Sequence, residues 1–162
     1  MAKLGDLERK LRMAVRKLPE QTLRIIEVEG LASINKNFRD EGFNDGGLQK
    51  WKPRKTTDKR GRDITRYRTS RVGKAGNLTR YGSKNEGRAI LTGHATGGNK
   101  LRNSFSASRT KVKVRFRTYK DYAQAHNEGE GNMPKRQFIG KSRTLENNIK
   151  KKLTKELDKL FK

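Results

Sequence analysis

Between Leu4 and Leu18 apolar residues recur as Leu4, Leu7, Leu11, Ala14, Val15 and Leu18, and Lys and Arg fill most of the positions between them. That is helical spacing, with one apolar stripe and a cationic face opposite it. Pro19 interrupts the stripe. Because proline fits a first helical turn, the pattern predicts a break there and a second helix from about Pro19 through Leu23, Ile26, Ile34 and Phe38 to Asp40, ended by Gly42, Gly46 and Gly47. Farther on, Val112, Val114 and Phe116 alternate with Lys113, Arg115 and Arg117, the clearest strand signal in the chain. A two-residue period sends those cations to one sheet face and the apolar side chains to the other. A last amphipathic helix is expected from about Ser142, its stripe formed by Leu145, Ile149, Leu153, Leu157, Leu160 and Phe161. The whole predicts an α+β chain with N-terminal helices, a small antiparallel sheet and a C-terminal amphipathic helix. It reads as one structural domain over residues 1–162, with residues 1–18 as a helical extension.

The stretch from residue 50 to residue 88 differs in kind. It carries 14 Lys or Arg against 3 Asp or Glu, a net of 14 − 3 = +11, with several glycines and few apolar residues. Such a segment is expected to build no core of its own and to form a long basic loop or arm, at most with a weak hairpin, ordered by a partner. It sits within a chain that is basic throughout, with 41 Lys and Arg against 17 Asp and Glu, a formal charge of +24. Only 30% of residues are apolar, so the core is modest and burial is expected to be completed by other subunits or by a polyanion. Nucleic acid is the first candidate. The residues expected to meet phosphates are Lys50, Lys52, Arg54, Lys55, Lys59, Arg60, Arg62, Arg66, Arg68, Arg71, Lys74 and Arg80, and Trp51, Tyr67 and Tyr81 between them offer rings for stacking. The alternative for the same stretch is an arm that docks on acidic protein subunits. Lys150, Lys151, Lys152, Lys155, Lys159 and Lys162 read as the solvated face of the last helix.

Catalytic patterns are missing from the sequence. There is no cysteine, which excludes disulfides and thiolate metal sites, and the only histidines, His94 and His126, lack a nucleophile or paired carboxylate beside them. Gly93, Gly97 and Gly98 precede Lys100, but no Ser or Thr follows that lysine, so they form a flexible turn rather than a phosphate-cradling loop. No cofactor and no metal is expected, and no enzymatic activity. No apolar run has signal-peptide or membrane-spanning character, so no membrane partner is expected either.

Several short motifs occur in a telling order. F-N-D-G-G-L-Q-K-W-K-P contains Trp51 and Pro53; I-L-T-G contains Thr92 and Gly93; L-R-N-S-F contains Leu101 and Ser104. Then come Y-A-Q-A-H-N-E-G, with Tyr122, Ala123, His126 and Gly129, and P-K-R-Q-F-I-G-K-S, with Pro134, Arg136, Phe138, Gly140 and Ser142. This order, covering about residues 20–160, resembles the phage virion morphogenesis, or tail completion, family. The chain departs from it by the insertion H-A-T-G-G-N-K before Leu101 and by its long, strongly cationic loop. The resemblance implies an α+β subunit of a homo-oligomeric ring at the head-tail neck or tail end of a virion, assembled in the host cytoplasm. Its implied partners are other neck, portal-side or tail proteins, with the basic surface in contact with packaged DNA. In that reading Tyr122, Ala123 and His126 form the end of a strand meeting a turn, and Pro134 and Phe138 form a rigid lead-in that pins the last helix to the sheet. The rival from composition alone is a non-specific RNA- or DNA-binding protein of ribosome or nucleoid.

Overall fold

A computed structural model describes residues 4–89, 91 and 98–161. Helix α1 (Leu4–Asp40) is followed by strands β1 (Gly42–Asn44) and β2 (Leu48–Lys50), helix α2 (Arg80–Asn85), strands β3 (Phe105–Arg109) and β4 (Val114–Thr118), helix α3 (Ala123–Glu128) and helix α4 (Arg143–Phe161). The class is α+β, but with one N-terminal helix instead of two and two separate two-stranded antiparallel sheets instead of one. The break expected at Pro19 does not occur, and α1 runs unbroken for 37 residues, about 56 Å at 1.5 Å per residue. An interior proline removes one backbone hydrogen bond and crowds the carbonyl four residues back, here that of Val15. Val15 is 76% exposed, so water can take up the freed carbonyl, and packing of the second half of the helix offsets the cost.

That second half faces the core. Phe38 sits at its centre, with ring centroids of Phe138 at 5.2 Å, Trp51 at 5.4 Å and Phe105 at 5.9 Å. Ile34, Ala89, Leu101 and Ala123 complete the buried cluster. Each large side chain removed from water contributes about 1.5–3 kcal/mol, so these few rings dominate the stabilisation of a chain poor in apolar residues. Gly30, within α1, has a physical reason: a Cβ there would overlap the Phe116 ring, so the glycine lets β4 lie close against the helix.

In the second sheet Phe105 pairs with Thr118, Ala107 with Phe116, and Arg109 with Val114. The other face carries Ser106, Ser108, Arg115 and Arg117, so the alternation expected around Val114 and Phe116 is realised with its cations outward. Val112 falls outside the strand and is exposed, because the chain turns there. The segment at Tyr122 is also different from expectation: it starts α3, a short helix closed by Gly129 in the left-handed conformation (φ 77°), where the sequence suggested a strand end. An alanine-rich run with an αL glycine at its end satisfies helix geometry better than a strand.

Helix α4 lies antiparallel along α1, with its start fixed to the β1–β2 turn and Lys152 paired to Glu29. Ser142 caps it, its Oγ accepting from Leu145 N at 3.2 Å while donating to the Asn44 carbonyl. Leu145, Ile149 and Leu153 are half-buried, whereas Leu157 and Phe161 are exposed, so among the described side chains the expected stripe packs in the first half of the helix and is open at these two later positions. Among the described residues no helix is long and apolar enough to cross a membrane.

Candidate nucleic-acid interface

The basic stretch has no strand or helix between Lys50 and Arg80 beyond isolated bridges, and it adds no residue of 52–88 to the core cluster, yet its course is defined. Its order comes from polar turns. The Asp63 carboxylate accepts from both the backbone N and the Oγ1 of Thr65 at 2.6 Å, and Thr65 Oγ1 in turn accepts from Tyr67 N at 3.0 Å. Asx and hydroxyl turns of this kind substitute for a backbone ladder where apolar residues are few. The Thr65 hydroxyl and amide, with the charges of Arg68 and Arg71, hold the Asp63 carboxyl below its ordinary range against the opposing effect of burial. Single bridges join Thr57 to Asp63 and Arg68 to Leu78. Thr79 caps α2 by accepting from Gly82 N at 3.0 Å, and its hydroxyl donates to Arg66 O at 3.0 Å. Gly82 is required: a Cβ there would overlap the Tyr67 carbonyl, so only glycine lets α2 close on the strand-like segment beneath it.

Two features fasten this module to the helical body. Arg54 N donates to Arg88 O at 3.1 Å, and Arg88 Nε meets Glu41 Oε1 at 2.8 Å while Ala89 N donates to Glu41 Oε2 at 3.2 Å. Trp51 is buried and its Nε1 donates to Gln137 O at 2.8 Å, so this ring belongs to the core and is lost to any ligand.

The cations proposed for phosphate contact divide into two groups. Arg62 pairs with Asp58 at 2.8 Å, Lys50 donates to Asp40 O at 2.7 Å, and the half-buried Arg68 pairs with Glu86 at 3.1 Å and donates to Gly76 O. Their charges are partly spoken for. Lys52, Arg54, Lys55, Lys59, Arg60, Arg66, Arg71, Lys74 and Arg80 are exposed and form no ion pair with the described residues. The aromatic residues divide likewise. Tyr67 is buried, with the Arg54 guanidinium 6.0 Å over its ring. Tyr81, 5.9 Å from Tyr67 between centroids, is 45% exposed. Arg54, Arg66 and Tyr81 together line a cleft of about 510 Å³.

The motif residues gather elsewhere, around the segment 136–142. Its main chain is held at almost every step: Arg136 N by His126 O at 2.8 Å, Gln137 O by Trp51, Phe138 N and Ile139 N by Asn127 Oδ1 at 3.0 Å each, and Phe138 O by Asn37 Nδ2 at 3.0 Å. Ser142 and Phe138 are buried at either side of Gly140, and Phe138 packs on Phe38 and Phe105. Leu101 and Ser104 are buried next to it, with Ser104 Oγ donating to Leu101 O at 2.7 Å; Ala123 is buried too. Tyr122 is exposed, its ring edge-on to His126 at 5.8 Å, and Pro53 and Pro134 are exposed. Thr92, Gly93, His94 and Gly97 lie outside the described residues.

Sequence reading missed the three asparagines that do the clasping. Asn37 Oδ1 also accepts from Asn44 N and Asn44 Nδ2, so Asn37, Asn44 and Asn127 join α1, β1, α3 and the segment before α4. The available signal was an asparagine at the core face of α1, one residue before Phe38, where helix propensity disfavours it. Arg136 is another unread feature. It is only 3% exposed, burial lowers its pKa, its Nη1 donates to Pro134 O at 3.3 Å, and its Nε has no partner among the described residues, nor does Nδ1 of His126. Burial first, and then the Arg136 charge, push the His126 pKa below its ordinary value, so this imidazole stays neutral. No group of three His, Asp or Glu among the described residues is arranged to hold a metal ion. Comparisons of the chain with protein-family models, with curated proteins and with solved structures found no match.

Proposed function

We propose that this chain is a non-enzymatic structural subunit of a tailed-bacteriophage virion, a ring-forming tail-completion or head-tail neck protein whose basic surface faces DNA. The observation that carries the reading is the clasp. The motifs that resemble the family, around Trp51, Leu101 to Ser104, Ala123 to Gly129 and Arg136 to Ser142, pack against one another, and their hydrogen bonds serve main chain instead of a reactive group. Residues used in this way build architecture. Charge and surface agree with an assembled state: a formal +24 needs an anionic neighbour, and α1 exposes Leu11, Met13, Val15 and Val28 along a helix that a small core leaves uncovered. Its partners in this reading are further copies of itself, neighbouring neck, portal-side or tail proteins, and packaged DNA. It would be located in the virion, after assembly in the host cytoplasm.

A second reading, a monomeric non-specific DNA- or RNA-binding protein, is favoured by the nine exposed, unpaired cations of residues 52–80. Native mass spectrometry and negative-stain microscopy of the purified chain separate the two. Closed oligomers, and the protein's presence in purified particles, are the expected result. A chain that stays monomeric at tens of micromolar and is missing from particles would leave only the second reading.

A further inference from the structure

We infer that the cleft lined by Arg54, Arg66 and Tyr81 is a binding site for single-stranded nucleic acid, with an unstacked base on the Tyr81 ring and the adjoining phosphates between the two guanidiniums. This goes beyond the proposed contact with packaged DNA, which a duplex would make through the arginines alone, and it does not depend on ring formation. Of the three aromatic residues in the basic stretch, Trp51 and Tyr67 are buried and only Tyr81 presents a ring to solvent. That ring is backed by Tyr67 and stands in a cleft whose other lining residues are two exposed arginines without ion pairs. The backbone of Arg54 is fixed by its bond to Arg88, and its guanidinium lies 6.0 Å from the Tyr67 ring centroid, which places it beside the cleft.

The chemistry selects among anions. A duplex keeps its base faces stacked inside and offers phosphates and groove edges, so it can use the arginines but not the ring. An unpaired strand offers both a base face and phosphates spaced along a flexible backbone, which matches an aromatic platform flanked by cations. An acidic protein segment would satisfy Arg54 and Arg66 and leave the Tyr81 face without a partner. The close seating of α2 on Tyr67, permitted by Gly82, and the bond of the Thr79 hydroxyl to Arg66 O hold the backbones of Tyr81 and Arg66 beside one another.

The test is binding of the full chain to a fluorescently labelled fifteen-nucleotide oligothymidylate, to a fifteen-base-pair duplex and to polyglutamate of similar charge. Replacing Tyr81→Leu should weaken single-strand binding by about tenfold and change duplex binding by less than about twofold, because only the stacked base is lost. Tyr81→Phe should retain binding, which guards against misreading a folding defect, and a thermal melt of each variant completes that control. Arg54→Gln with Arg66→Gln should lower the slope of log affinity against log salt by about 1.4 for the single strand, two contacts at about 0.7 each. Lys59→Gln with Lys74→Gln, the same charge change away from the cleft, should alter it less. Equal losses from the cleft and the distant pair, a Tyr81→Leu effect that is the same for both strand states, or preference for polyglutamate would overturn the site. Rings that form normally while Tyr81 proves indifferent would remove the cleft and leave the neck reading standing; a monomer with Tyr81-dependent single-strand binding would do the reverse.

Discussion

The helical body and the basic module are built on opposite principles within one chain. In the body, the rings of Phe38, Trp51, Phe105 and Phe138 pack together, and asparagines satisfy the main chain that runs beside them. In the module one buried tyrosine is accompanied by buried Asp63, Thr65 and Asn85, and the turns are held by short polar bonds. The body therefore draws its stability from apolar burial, which is insensitive to salt. The module relies on local hydrogen bonds beneath an unneutralised positive surface, so it should open at a lower free energy than the body and gain most from a bound polyanion.

The sharpest way to break this contrast is Phe138→Ala. The ring is 2% exposed and touches Phe38 and Phe105, so its loss should cost about 3–5 kcal/mol, a large share of the stability of a domain this size. Denaturant titration should find the whole body unfolding at a much lower midpoint. A loss below about 1 kcal/mol would mean that the aromatic cluster does not hold the body together. Next comes Asn127→Ala, which orphans the amides of Phe138 and Ile139 at once. With about 1–3 kcal/mol for the buried Phe138 amide and less for the half-buried Ile139 amide, a loss of about 2–4 kcal/mol is expected in the same titration. A near-neutral result would show that the amides find other acceptors.

Gly82→Ala should act on the module alone. The added Cβ overlaps the Tyr67 carbonyl, so α2 must lift, at about 1–3 kcal/mol for a forced local shift. Hydrogen exchange is the suitable readout: amides around Thr65, Tyr67 and Thr79 should lose protection while those of α4 keep theirs. Uniform loss across both regions would mean that the module and the body unfold as one unit and that their difference is only compositional.

The same division explains what was legible in the sequence. Periodicity located α1, β4 and α4, because each buries one face and a buried face leaves a repeat. It failed at Pro19, since a local rule for helix starts says nothing about the packing of Ile34 and Phe38 that holds the helix together beyond it. Between residues 52 and 88 it showed only a loop, because the order there depends on an Asp63–Thr65–Tyr67 relay and a close glycine contact that leave no hydrophobic pattern. Charge identified the cations of that stretch. Which of them are paired, and which aromatic ring is free, depends on contacts between residues far apart in the chain, such as Arg68 with Glu86 and Trp51 with Gln137. The motif order drew attention to Phe138 and Ser142, yet the asparagines that hold this segment were invisible, because Asn37 and Asn127 act on main chain from another element and Asn44 lends its own carbonyl to Ser142.

Acid should separate the two regions most gently, through groups with different titration windows. His126 sits beside the clasp with its pKa lowered by burial and by Arg136, so the folded body binds a proton less readily than the unfolded chain. Its contribution is intact above the ordinary value of 6.5 and is lost progressively as pH falls from there through the folded pKa, because the unfolded chain takes up a proton that the folded one resists. Asp63 in the module also has a lowered pKa, owing first to the Thr65 hydroxyl, but its ordinary value is 3.8. Its contribution persists until pH falls below that value and disappears as pH passes the folded pKa. Stability of the body should thus begin to slope downward near pH 6.5, while exchange protection around Thr65 and Tyr67 should hold until pH falls below about 3.8. Replacing His126→Gln should flatten the upper slope in a series of denaturant titrations and leave the lower one unchanged. If the upper slope survives that substitution, the half-buried imidazole next to Arg136 is not its source.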